Sequence, residues 1–246
     1  MISKKLVLIL SLGVAGSLMP AYGAACSNGA TLASLEALSG TGCDIGGLNF
    51  SNFLWTPTGA NPHSTPTDTQ VTITTLLNAN GTGFLLNFSA PFTAGGGGFA
   101  DGELKYTVKT VSGLNTINSL YAQIDGSVTG TGSYDDVLDN YCLGLASLSC
   151  SPSALDAHLG PGGVCGPGTT DGAGGCKNSV SVAAQNIIAI RKDIRADATA
   201  GAPGASAAVT GVINQFGPAV PEPGTYVLSF IGLGLMFFGS KKFSRS

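Results

Sequence analysis

The side chains that could do chemistry are few. His63 and His158 are the two imidazoles of the chain, and both stand in Pro-, Gly- and Ser-rich surroundings. Nucleophilic catalysis needs a base beside the nucleophile. There is no G-x-S-x-G elbow and no H-E-x-x-H helix, and no Walker or dinucleotide fingerprint. Gly95-Gly-Gly-Gly98 is followed by Phe99-Ala-Asp101 rather than by a lysine and a helix, so it reads as a plain loop. The reading is therefore non-enzymatic, with a secreted hydrolase built from scattered residues as an alternative. Asp135, Asp136 and Asp139 offer oxygen ligands in Gly132-Ser-Tyr-Asp-Asp-Val-Leu-Asp-Asn140, and hard oxygen donors on a loop suit Ca²⁺. The spacing is not that of an EF-hand, so an acidic turn in water is the competing outcome, and no cofactor is expected. Sugar binding favours flat aromatic platforms, but the single tryptophan, Trp55, sits in the strand-like run Phe50-Ser-Asn-Phe53-Leu-Trp55. That context favours the core.

Six cysteines complete the inventory: Cys26, Cys43, Cys142, Cys150, Cys165 and Cys176. No C-x-x-C occurs and both histidines are remote from the cysteines, which speaks against zinc. In an exported chain an even count reads as disulfides. Fifteen pairings are formally open; spacing favours Cys26–Cys43, Cys142–Cys150 and Cys165–Cys176, each closing a short loop worth about 3 kcal/mol if unstrained. Residues 142–176 hold four of the six with many glycines and prolines, and read as a bridged surface excursion that buries little.

The elements that must position these residues read as β. Val71-Thr-Ile73-Thr-Thr-Leu76, then Asn80-Gly81, then Gly83-Phe-Leu-Leu-Asn-Phe88 is a hairpin pattern. Leu104-Lys-Tyr106-Thr-Val108 alternates, as does Val180-Ser-Val182, and Ile187–Ile190 and Val209–Val212 are further strand candidates. Residues 31–39, with Leu32, Leu35 and Leu38 three apart, are the best helix candidate. The fold expected is all-β: a single disulfide-bridged β-sandwich, with a jelly roll as one arrangement of it. It would occupy residues 26–219, enough for one sizeable core.

Two terminal segments read as addresses. Lys4 and Lys5, the apolar residues 6–18 and a small-residue site near Ala25 make residues 1–25 a signal peptide. Thirteen apolar residues as a helix cover about 20 Å of a roughly 30 Å bilayer core, too little to span it. A lipidated Cys26 would want Leu three residues earlier, where Gly23 stands. At the other end Val220-Pro221-Glu222-Pro223 precedes an apolar run over residues 225–240 and then Lys241-Lys242-Phe-Ser-Arg245. That run is about 24 Å long as a helix, a short transmembrane segment whose flanking cations favour the cytoplasmic side.

Val-Pro-Glu-Pro, an apolar helix and a basic end, in that order, resembles the PEP-CTERM sorting signal of Gram-negative bacteria. The opening around Cys26 and Cys43, and Ile190-Arg-Lys-Asp-Ile194 through Val212-Ile-Asn-Gln-Phe216, also resemble stretches of proteins that carry it. The resemblance implies a membrane intermediate held by residues 220–246 and an exosortase acting at Val220, Pro221, Glu222 and Pro223. Delivery to the cell surface or outside the cell would follow, often where exopolysaccharide is made. The resemblance brings no activity with it; with no catalytic motif found, the role expected is structural or adhesive in the envelope or extracellular matrix, and the alternative is a carbohydrate-binding module for exopolysaccharide.

The formal charge of −3 hides unlike parts. Five of the 11 cations lie in the terminal segments, leaving six against 13 acids in residues 26–219, a net of −7. A field of that sign repels phosphate backbones and excludes nucleic acid as a partner.

Overall fold

Period-two burial builds nearly every element. In β6 (Phe99–Thr110), Ala100, Leu104 and Tyr106 face inward while Asp101, Glu103 and Lys105 face outward. The same alternation runs through β8 (Tyr134–Leu143) and β13 (Ile187–Asp197). The structure, a computed structural model, describes residues 24–111 and 116–217. Residues 1–23 of the expected signal peptide, the apolar run and the Val220–Pro223 motif lie outside the described residues. Among those described, no helix is long and apolar enough to cross a membrane.

The remaining strands, in chain order, are β1 (Cys43–Ile45), β2 (Leu48–Ala60), β3 (His63–Ser64), β4 (Val71–Asn78), β5 (Gly81–Gly95), β7 (Ile117–Thr129), β9 (Ser153–Gly160), β10 (Val164–Cys165), β11 (Thr169–Thr170), β12 (Cys176–Gln185) and β14 (Ser206–Gly217). The first sheet has the order β1-β2-β6-β13-β8-β9-β10. The second runs β11-β12-β7-β14-β5-β3, with β4 also on β5. Every ladder is antiparallel. This is an all-β sandwich.

Between the sheets lies an aromatic cluster. Phe50 of β2 meets Phe84 of β5 edge-on at 5.6 Å, and Phe84 meets Tyr106 at 5.4 Å. Phe53 stacks on Tyr106 at 5.7 Å. Trp55 is buried, its indole N–H donating to the Pro66 carbonyl at 2.9 Å, and its ring covers Gly102 on the neighbouring strand. The tryptophan is a core residue, as its sequence context implied.

Three local expectations change. The helix, α1 (Leu32–Glu36), is shorter than residues 31–39: Thr31 caps it by accepting from the Ser34 N–H at 3.2 Å, and Ser39 turns the chain at φ 48°. The hairpin turn falls on Ala79 and Asn80, with Asn78 opposite Gly81. Gly81 sits inside β5 because a Cβ there would lie 2.5 Å from the Phe216 carbonyl oxygen. Residues 142–176 are not all excursion: Leu155, Ala157 and Leu159 are buried on β9, which pairs with β8 along its length. Their alternation with Asp156 and His158 is a strand pattern that total glycine and proline content obscures.

The cysteines pair as Cys26–Cys43, Cys142–Cys150 and Cys165–Cys176, with separations of 17, 8 and 11 residues. The last of these ties an edge strand of the first sheet, β10, to β12 of the second.

A side chain at residue 102 has no room, since a Cβ there would approach the Trp55 ring to 2.1 Å. Gly102→Ala should lower stability by about 1–3 kcal/mol. Adding Trp55→Leu to that variant should cost less than Trp55→Leu alone, as read by thermal denaturation. Strict additivity of the two would show that the ring is not the obstacle.

Candidate functional site

The three aspartates considered for calcium do not meet. They lie on strand β8 rather than on a loop, so alternation turns Asp135 and Asp139 into the interior and Asp136 onto the outer face. Among the described residues no group of three or more metal-ligating side chains is assembled. The histidines are equally separate: His63 is on β3 of the second sheet, packed over Gly59, and His158 is on β9 of the first. Among the described residues no serine hydroxyl reaches either imidazole. Tyr106 and Tyr141 are buried, while Tyr121 and Tyr134 are half-buried on different sheets. Tyr121 borders a shallow depression of about 510 Å³ with Lys177 and Asn178.

The outer face of β6, β13, β8 and β9 carries a dense ionisable array. Arg195 lies opposite Asp101 on one side and Asp136 on the other, and Asp136 lies opposite His158. The Arg195 guanidinium donates through Nε to Asp197 at 2.8 Å and stands 4.5 Å over the Phe99 ring. His158 Nδ1 is 3.4 Å from Asp136, and its ring stacks on Tyr134 at 4.9 Å. Two carboxyls on this face have raised pKa values. Partial burial, with the hydrogen bond to and charge of Asp193, pushes Asp101 up to about 7. Burial, with the hydrogen bond to and charge of Asp156, pushes Asp136 up to about 8. Both groups therefore titrate near neutral pH rather than in the usual carboxylate range.

The interior holds a second cluster that sequence reading missed. Lys192 and Asp139 are register partners on β13 and β8, and both are fully buried. Lys192 Nζ lies 2.7 Å from Asp139 Oδ1. Across the sandwich, Asn214 of β14 donates its amide to Asp139 Oδ2 at 2.9 Å and to the Tyr121 carbonyl at 3.0 Å. Burial raises Asp139 and lowers Lys192, and the charge of each opposes the shift of the other. The Tyr106 phenol is raised by burial and by Asp139. Asp135, also fully buried, is pushed up to about 8 by desolvation, while backbone N–H groups oppose the shift. The signal was in the phase of the strands. Lys192 stands two residues from both Ile190 and Ile194, and Asp139 two from Val137 and Tyr141, all inward positions.

Fold and site together define a disulfide-braced all-β sandwich with ionisable groups both inside and on one face. Its terminal segment supplies the identification: residues 219–242 match the PEP-CTERM protein-sorting motif, and Val220, Pro221, Glu222 and Pro223 fall within that span. The chain is thus a PEP-CTERM domain-containing protein. The motif marks an exported protein sorted through the membrane to the cell surface and implies processing by an exosortase. No curated protein matches the chain. Similar solved structures include TmCBM61 in complex with beta-1,4-galactotriose, 8% identical over 66% of this chain and 88% of that one, TM-score 0.30. The enzymatically active domain of bacteriophage CBA120 tailspike protein 4 is 12% identical over 68% of this chain and 19% of that one, TM-score 0.30. Trichoderma harzianum endoglucanase 3 of family GH12 is 10% identical over 66% and 98%, TM-score 0.22. Likeness at these scores carries no argument about ligand or activity.

The raised carboxyls set a pH dependence. Asp101, Asp135 and Asp136 hold their protons to about pH 7–8 when folded, but only to about pH 4 when unfolded. Between those limits the folded chain binds more protons, so its stability falls as pH rises. The melting temperature should therefore drop from pH 5 to pH 9, and Asp135→Asn or Asp136→Asn should flatten the profile. A melting temperature that rises across that interval would contradict the assignment.

Proposed function

We propose that the chain is a structural or adhesive component of a Gram-negative cell envelope or its extracellular matrix. On this reading residues 220–246 hold an inner-membrane intermediate through the apolar run 225–240. An exosortase then acts at Val220–Pro223 and passes the sandwich to the surface. The two prolines of the motif fix φ near −65° and bias their predecessors to extended backbone, a form an enzyme can reach. Nothing in this route requires the sandwich to turn over a substrate.

The observation that carries the structural reading is where the aromatic side chains are used. Trp55, Tyr106, Tyr141, Phe50, Phe84 and Phe216 are all buried, and among the described residues no aromatic side chain is fully exposed. A sugar-stacking surface needs flat rings in water, and here the rings are taken up by the core. The half-buried Tyr134–His158 stack beside Asp136 and Arg195 favours the second reading, a module that binds exopolysaccharide through polar contacts.

Mature protein recovered from its native cells should lack the basic end, with its last residue at or near Pro221–Pro223 by mass spectrometry. Recovery of surface protein still carrying Lys241-Lys242 would sink the sorting route. Binding of the purified protein to an exopolysaccharide array, lost in Tyr134→Ala, would replace the structural reading with the binding module.

A further inference from the structure

We propose that Lys192 and Asn214 become joined side chain to side chain by an intramolecular amide, with Asp139 carrying the protons. The three side chains are fully buried, come from three strands and two sheets, and converge on one carboxyl group. Lys192 Nζ is 2.7 Å from one Asp139 oxygen, and the Asn214 amide nitrogen is 2.9 Å from the other. Amine and amide are therefore bridged by one carboxyl group, an arrangement that brings the two reactants to a common centre and replaces a bimolecular encounter.

The chemical state of the site suits the reaction. An ammonium and a carboxylate in an apolar core are each disfavoured by lost hydration, and transfer of one proton from Lys192 to Asp139 leaves both neutral. Burial pushes both groups in that direction. The neutral amine is a nucleophile, and Nζ is not engaged in an aligned hydrogen bond. The Asn214 carbonyl oxygen is buried without a partner, so no hydrogen bond to it has to be broken when Nζ approaches. Tyr106, whose phenol senses Asp139, packs against Phe84 at 5.4 Å and Phe216 at 6.3 Å, which closes the site to water.

The step balances within these residues. Lys192 Nζ attacks Cγ of Asn214 and forms the new C–N bond. Asp139 takes a proton from that nitrogen at Oδ1 and gives one at Oδ2 to the departing amide nitrogen. The old C–N bond breaks, ammonia leaves, and Asp139 ends protonated as it began. No oxidant or cofactor is needed. Acylation of Lys192 by Asp139 itself would instead expel water, and would leave no second carboxyl in hydrogen-bond reach to move the protons. The resulting link would staple β13 of the first sheet to β14 of the second through the centre of the sandwich. It would add to a covalent frame in which Cys26–Cys43 and Cys142–Cys150 close loops against the first sheet and Cys165–Cys176 joins the sheets only at an edge.

Peptide mapping of the purified, reduced full chain decides the matter. The expected product is a branched peptide joining the Lys192 and Asn214 segments, lighter than its two parts by one ammonia, with no tryptic cleavage after Lys192. In Asp139→Asn, which keeps the shape but cannot carry the proton, the branched peptide should be lost and both linear peptides recovered. Unmodified linear peptides from the wild-type chain would overturn the proposal, as would a loss of one water located at Lys192 and Asp139. Persistence of the link in Asp139→Asn would overturn the role given to Asp139. The wild-type map is decisive even if that variant does not fold.

Discussion

The register of β13 is constrained by the Lys192–Asp139 contact in the middle of the sandwich. A lysine and an aspartate without water are tolerated only opposite each other, because either left alone costs about 3–5 kcal/mol. Their strands meet in the register that makes them direct partners. A slip of one residue would expose Lys192 and drive Arg191 or Asp193 into the core. The same register fixes the outer face. With Lys192 inside, Arg191, Asp193 and Arg195 must point out, and Arg195 then falls between Asp101 and Asp136. One buried pair thus organises the ion pattern on both sides of the first sheet, and through Asn214 it reaches the second.

Much of this was legible in the residues. Strict alternation in Leu104–Val108 and the isoleucines of Ile187–Ile194 follow from a half-buried strand, whose period is local. The cysteine pairs follow from short separations, because short loops are the easiest to close. What failed did so where composition was allowed to stand in for phase. Residues 142–176 are rich in glycine and proline, yet Leu155-Asp-Ala157-His-Leu159 alternates and forms β9. Asp135, Asp136 and Asp139 read as a loop cluster because acids are common in turns, but the apolar partners Val137 and Tyr141 put them on a strand. The hairpin turn moved by one residue because Gly81 is needed for its close approach to β14, a contact between residues far apart in sequence. Asn214 and Asp139 are 75 residues apart, so no local pattern could have paired them.

The formal charge of the sandwich also changes meaning. Six cations against 13 acids describe a strongly acidic domain only if every acid is ionised. Asp101, Asp135 and Asp136 are held protonated to about 7 or 8, and Lys192 with Asp139 contributes no net field in either proton arrangement. The surface potential near neutral pH is therefore milder than the count implies. Mutual repulsion on the outer face is eased where Asp101 beside Asp193, and Asp136 beside Asp156, have their pKa values raised.

The sorting motif follows directly on the strand that carries Asn214 of the buried cluster. β14 ends at Gly217, and the motif begins two residues later, at 219. Any load applied to the chain through the sorting motif enters the sandwich through β14. That strand is not an edge: it is paired along its length with β7 on one side and β5 on the other. Force directed along it would have to shear two ladders at once, with hydrogen bonds strained in parallel rather than opened one by one. Phe216 near its end is anchored in the aromatic cluster, and Asn214, two residues earlier, is bound to Asp139 of the opposite sheet. A load from the sorting segment would thus reach the first sheet through the Asn214–Asp139 hydrogen bond after crossing a few residues. The strand that leads toward the sorting motif is thus tied to both neighbours in its own sheet and to the opposite sheet.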